Sequence, residues 1–475
     1  MPIGKNIYYL LFSCFFSQTL LFAQKIEISE QIDLAKEIEY SLVASFDTTV
    51  LLLEEGRARH HVRAFGLSLN QLWRKEIKYP KNNIATLEVF AESDKITIVY
   101  AMHFRGRTEI RVKRLKPDAQ ELDDFTIATF MANIPYNFFT VELSENKKQL
   151  LVYSVAPENY LDWVSYDLGT KTIHWRKERG FADVNYQRDF RQILINNEGS
   201  VYIILEYDNN KRKKDTHHFR IHHVDPVGKN FSYQIPFPTY LNYESLFTYD
   251  ELNQQIVVGG LYADGTFHAH GLFYLRSNLV DSATIYTIPF DDTFIRNLTG
   301  EKKKKLDGIT NLEMNDIILR RDGGIICVAE QNFKFEYQLM SSFYNDQSPH
   351  RQADYLYENI LVASIHPDGN LHWKDVLYKS QSSENDNGRY SSYFLMKTPS
   401  NLRFLYNDDI RWTTNIFEYI VSGIGAVDRN RLFEKEGKER VAIMPEFRSA
   451  IQISATALIA TSVRNNRMRL VKISY

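Results

Sequence analysis

The chain has 475 residues, with 57 Lys and Arg against 59 Asp and Glu and a formal net charge of −2. This near balance excludes a nucleic-acid binder that works through a basic surface. Hydrophobic residues at 44% and charged residues at 24% exclude wholesale disorder, and two cysteines exclude a disulfide framework.

Residues 1–23 read as an export signal. Lys5 supplies the positive start, residues 7–22 are largely apolar, and Ala23-Gln24 offers a cleavage point after a small residue. Ser13, Ser17, Gln18 and Thr19 dilute the apolar run, which falls short of the roughly 20 residues a membrane span needs. Leu11-Phe12-Ser13-Cys14 resembles a lipidation box, but the apolar stretch continues beyond Cys14, so cleavage at Ala23 is preferred over a lipid anchor. The expected location is the periplasm or the cell surface. Beyond the signal no stretch is apolar enough for a transmembrane segment, and Cys327 is the remaining cysteine, in the apolar run Ile325-Ile326-Cys327-Val328.

From Gln24 onward, short alternating runs rich in β-branched and aromatic residues follow one another, such as Lys95-Ile96-Thr97-Ile98-Val99-Tyr100 and Ser200-Val201-Tyr202-Ile203-Ile204-Leu205. Tight polar turns lead into them at Asp47, Asp94, Asn146, Asn197, Glu251, Asp322-Gly323, Ser400 and Ala455. A second series of turns follows each of the first seven, among them Leu69-Asn70, Gly169-Thr170 and Pro367-Asp368-Gly369. A recurrence of about 50 residues marks a β-propeller in which each unit supplies strands A, B, C and D. The expectation is an all-β chain of eight blades, with seven as the alternative, forming one domain over residues 24–475. Insertions fall at 291–305, where a short helix fits, and at 331–358, which interrupts blade six. The last unit offers strands at 441–453, 457–463 and 468–474 but no fourth strand, and the alternating residues 25–29 are its donor. Their pairing would close the ring and cover both open edges.

Several C–D hairpins place a Trp early in strand D. Tyr166-Asp167-Leu168-Gly169-Thr170-Lys171-Thr172-Ile173-His174-Trp175 is the fullest case, and Trp73 and Trp373 follow similar turns. This resembles the quinoprotein-like, tryptophan-docking propeller repeat, with the best match at Asp167, Thr170 and Trp175 over about three of the eight units. The resemblance implies either a dehydrogenase holding a quinone over the channel or a cofactor-free scaffold. Catalytic members carry a vicinal disulfide, which a mature chain with Cys327 alone cannot form. The run Asp322-Gly323-Gly324 to Glu330 and Tyr406-Asn407-Asp408-Asp409 also resembles uncharacterised exported propellers, a likeness that implies no activity.

In a propeller the B–C and D–A connections share one face, and here they hold every long connection. The polar residues near the B-strand ends on that face are the binding candidates: Glu54, Glu55, His103, Arg105, Glu206, Asp208, Asp264, Glu330, Asp408, Asp409 and Arg464. No metal site is expected from His217, His218, His222 and His223, because strand residues four apart lie roughly 13 Å from each other. Ser383-Glu384-Asn385-Asp386-Asn387-Gly388 lacks the alternating acids and closing Glu of a calcium loop, so it reads as a turn. The basic runs 211–214 and 302–305 read as solvated. No catalytic motif and no cofactor fingerprint is present. The expected function is a non-enzymatic scaffold, monomeric outside its complex, that binds an envelope protein through the long-loop face. The alternative is a carbohydrate-active or quinone-type enzyme, or a sugar-binding protein, with its site at the channel mouth.

Overall fold

A computed structural model describes residues 24–475, apart from 47, 58, 93, 132–137, 157–158, 178–179, 182–183, 266, 281–282, 302–306, 340–349, 409, 411–414 and 435–442. The expectations placed on residues 1–23 (with Cys14), the turn at Asp47, the run 302–305 and Asp409 lie outside the described residues.

Eight antiparallel sheets form an eight-bladed β-propeller. Blades one to seven are the consecutive four-stranded meanders within 38–77, 84–130, 139–177, 190–236, 241–289, 312–377 and 393–434. Blade eight is completed by the other end of the chain. Lys25–Ile28 pairs antiparallel with Arg467–Ser474, matching Lys25 with Ser474 and Ile28 with Val471, and Ile32–Asp33 extends the same edge.

The B strands explain why the blades pack. Val50, Leu51, Leu52 and Leu53 are all shut off from solvent, because a B strand is covered on both faces. Leu51 and Leu53 join the core between blades one and two, while Val50 and Leu52 join the core between blades one and eight. The same alternation produces one apolar core at each of the eight blade interfaces, so the ring has no gap. Several A strands carry a register shift, for example between Thr86 and Glu88 and between Asn242 and Glu244. Such bulges add the local twist the innermost strand of a blade needs.

The tryptophans join neighbouring blades. A Cβ on Gly228, in the C–D turn of blade four, would fall 2.6 Å from the Trp175 indole nitrogen of blade three. Gly425, in the C–D turn of blade seven, is as close to Trp373 of blade six, whose indole N–H donates to Gly423 O at 3.1 Å. Both glycines have positive φ, so bare backbone is required twice over, by the turn and by the indole against it. Asp167 accepts from Thr170 N at 2.7 Å and holds the best-matching turn.

One insertion carries the helix expected of it, and two stretches differ from the sequence expectation in detail. The segment 291–305 opens with the α-helix Asp292–Thr299, capped by Asp291, which accepts from Phe294 N, and ended by Gly300 at φ 68. The segment 331–358 contains no long loop among its described residues, but lengthens strands B (Ile325–Leu339) and C (His350–Ile365) of blade six. The alternation Phe333-Lys334-Phe335-Glu336-Tyr337 suits that extended hairpin. Strand A of blade eight begins at Ile451 rather than 441, since Pro445 has no N–H for a ladder and Phe447 turns into the core between blades seven and eight.

Candidate functional site

The A–B and C–D turns are uniformly short, as between Ile195 and Val201, so the other face carries the long connections. Several polar candidates near that face are engaged inside the fold. Glu54 bridges strands across blade one, 2.7 Å from Arg74 and in contact with Arg63. Glu206 lies 2.8 Å from His217 Nε2 and contacts Arg191. Glu330 lies 2.6 Å from Lys379 and accepts from the Ser392 hydroxyl at 2.5 Å. All three carboxylates are buried, where an unpaired charge would be costly, so their partners fix the connections that supply them.

The remaining candidates are spread around the ring. Asp208 takes Lys213 and the Thr216 hydroxyl, each at 2.9 Å, which holds its carboxyl below the usual range. Asp264 lies 3.6 Å from Lys214, so the basic run 211–214 is tethered by acids from blades four and five. Arg105 occupies a tight turn at φ 50 with its guanidinium 5.0 Å from the Phe104 ring, and His103 lies two residues before it. Asp408 is 2.8 Å from Arg429.

The structure brings Glu55 into a cleft of about 730 Å³ that also takes in Glu39, Tyr40, Arg389 and Glu446. Glu39 and Glu55 are direct cross-strand partners, an unfavourable like-charge pairing. Burial, opposed by Thr86 and reinforced by Glu39, raises the Glu55 carboxyl. Burial likewise raises Glu446, although Arg389 stands 2.7 Å away. Arg389 and Glu446 come from D–A connections with no periodic pattern, which is why sequence reasoning missed them.

A second hollow, about 570 Å³, lies on the extended hairpin of blade six and includes Tyr337, Arg351, Tyr355 and Asn387. On the outer side of that hairpin Gln381–Glu384 pairs with residues 354–357 of strand C. On its inner side, strand A of blade six stops pairing at Gln331, so among the described residues no strand pairs the inner edge from Phe333 to Leu339. Phe335 and Tyr337 on this stretch are 51% and 39% exposed. The expectation of an interruption at 331–358 foresees neither this extended hairpin nor its open edge.

The histidines of blade four stack on aromatics: His222 lies 4.3 Å from the Phe181 ring and His223 4.8 Å from Tyr202. Burial lowers His222 to about 4. Among the described residues no three His, Cys, Asp or Glu side chains gather as a metal-binding group, and no helix is long and apolar enough to cross a membrane.

No protein-family model matches the chain. No curated protein matches it either. Solved structures similar to it include the Dos1 propeller, at 10% identity over 94% of each chain with a TM-score of 0.43. The β-propeller domain of the Trilobed protease from Pyrococcus furiosus is similar at 10% identity over 85% of this chain and 100% of that one, TM-score 0.40. An uncharacterised protein from Listeria monocytogenes EGD-e is similar at 8% identity over 93% and 95%, TM-score 0.40. At these values the fold assignment rests on the strand pairing itself.

Proposed function

We propose that this chain is an exported, non-enzymatic scaffold that binds a protein partner through its long-loop face, with the blade-six hairpin as the docking edge. The open inner edge of residues 333–339 is the observation that carries the reading. An unpaired strand edge offers backbone donors and acceptors in a row, and an extended polypeptide segment is the ligand that satisfies them. Phe335 and Tyr337 beside that edge supply apolar anchors for alternate side chains of the added strand. The test is cross-linked capture from envelope extract, followed by amide hydrogen exchange on the purified complex. The expected result is a stoichiometric partner that protects amides 333–339 and is lost with Glu336→Pro and with Phe335→Ser/Tyr337→Ser. A partner retained by both variants, or none captured by the parent chain, overturns it.

The cleft around Glu55 favours a second reading, a sugar site at the channel mouth. Two carboxyls raised by burial beside a guanidinium suit hydrogen bonding to hydroxyl groups or acid–base work on them. Glycan binding or hydrolysis that disappears in Glu55→Gln and Glu446→Gln, and survives the hairpin variants, would select this reading over the first.

A further inference from the structure

We infer that the B–C hairpin of blade eight forms a binding site for a tetrahedral oxyanion, a phosphate or sulfate group. The site is a hollow of about 190 Å³ on the long-loop face, lined by Gln31, Ser462, Arg464, Asn465, Arg467 and Arg469. Liquid water occupies about 30 Å³ per molecule, so the hollow has room for about six waters, or for one such group and the first atoms of its carrier.

Strand register is what gathers the cations. Ser462 pairs with Arg469 and Arg464 with Arg467, so alternation sends all four side chains to the same side of the sheet. The turn between them is Asn465-Asn466, both at positive φ, which keeps the two arms in tight register. Three guanidinium groups thus line one small hollow on a molecule whose overall charge is −2.

Compensation within the fold is slight. Arg467 has Asp33 at 3.9 Å, with that carboxylate largely in solvent. Arg469 donates weakly to Ser29 O at 3.4 Å. Arg464 is exposed and has no carboxylate partner among the described residues. The floor of the hollow adds a neutral donor. Ser462 is 5% exposed, and its hydroxyl oxygen already accepts from Met444 N at 2.9 Å. Its proton has no acceptor among the described residues, so a buried O–H stands ready beside the guanidinium groups. Planar guanidinium forks match the oxygens of phosphate and sulfate, and a buried hydroxyl donor completes such a cradle. A carboxylic ligand would use fewer of these donors.

The test uses the full chain without residues 1–23 and titrates inorganic phosphate and inorganic sulfate at low ionic strength by calorimetry. The expected dissociation constant is about 1 mM or tighter, with loss of affinity on added salt. Arg464→Ala weakens binding at least about ten-fold, Arg464→Lys retains part of it, and Ser462→Ala costs several-fold. The Arg464 side chain is exposed and makes no hydrogen bond or ion pair with the described residues, so its variant keeps the parent melting temperature even if Arg469→Ala disturbs Ser29. No heat of binding, or equal affinity in Arg464→Ala, overturns the inference. Two further arms identify the carrier of the group: phosphatidylglycerol vesicles for a lipid headgroup, and a sulfated oligosaccharide for a glycan. Binding of either that depends on Arg464 names the source, and binding of the inorganic ions alone makes the free anion the ligand. The result is independent of the hairpin, whose variants leave this site intact.

Discussion

The Lys379 ammonium lies 2.6 Å from Glu330 Oε1, with both side chains shut off from water. Lys379 also donates to Gln381 Oε1 at 2.9 Å, and Gln381 in turn donates to Asn407 O at 2.7 Å. Burial lowers the Lys379 ammonium, and Glu330 opposes that shift. The network ties strand B of blade six to the connection that leads into blade seven.

Removing one member leaves a buried charge without a counterpart. Lys379→Met is therefore expected to cost about 3–5 kcal/mol in urea unfolding, while Lys379→Met/Glu330→Leu recovers most of the loss. A single substitution costing less than about 1 kcal/mol would refute the account.

Blades seven and eight are joined by the Tyr475 hydroxyl, which donates to Glu418 Oε2 at 2.6 Å beneath the Arg403 guanidinium, 3.7 Å from the ring. Tyr475→Phe keeps the ring and loses a bond to a charged acceptor, so about 1.5–3 kcal/mol of stability should disappear. Equal denaturation midpoints for the two chains would dismiss this role.

Stability should peak at mildly acidic pH. Burial, with Glu88 nearby, raises Glu142 to about 7, and burial raises Glu244 to about 7 against the bond from Met314 N. Between about 4.5, where an unfolded Glu titrates, and about 7 the folded chain holds these extra protons, so stability falls as the pH rises through that window. After discounting for partial exposure the effect is roughly 1–2 kcal/mol per residue. Asp123 acts on the other side. Arg114 holds it down to about 2, and its contribution is lost as the pH falls from about 4. Melting temperatures across pH 3–9 measure the profile. In Glu142→Gln/Glu244→Gln the decline between pH 5 and 8 should flatten, and an unchanged decline would discard these two groups as its source.

Gly425 sits at φ 84 with the Trp373 ring against it. Gly425→Ala combines a disfavoured backbone with a clash, and a loss of about 1–3 kcal/mol is expected. Gly423, with nothing near the place a Cβ would take, is the control and should tolerate Ala. Similar losses at both glycines would contradict the docking role of the indole.

The blades were legible because each strand announces itself by local alternation and each turn by local chemistry. Residues 25–29 alternate like any other strand, so even the closing pair could be read from residues 441 apart. The candidate residues were harder, because their state depends on register and on neighbouring blades. Glu54, Glu206 and Glu330 look like solvated strand ends in sequence, yet Arg74, His217 and Lys379 reach them from other strands and connections. Glu55 was found, but not the Glu39 opposite it or the Arg389 and Glu446 across the cleft, which only the closed ring brings near. Arg464 was singled out alone, whereas its meaning lies in Arg467 and Arg469 folding back beside it.

The shared eighth blade also sets an order of events. Seven meanders can form from neighbouring residues as soon as each is available, whereas the clasp of Lys25–Ile28 onto Arg467–Ser474 must wait for partners at the far end of the polypeptide. Closure is thus the step of highest contact order, and until it occurs the half-finished ring presents two naked strand edges to the crowd around it.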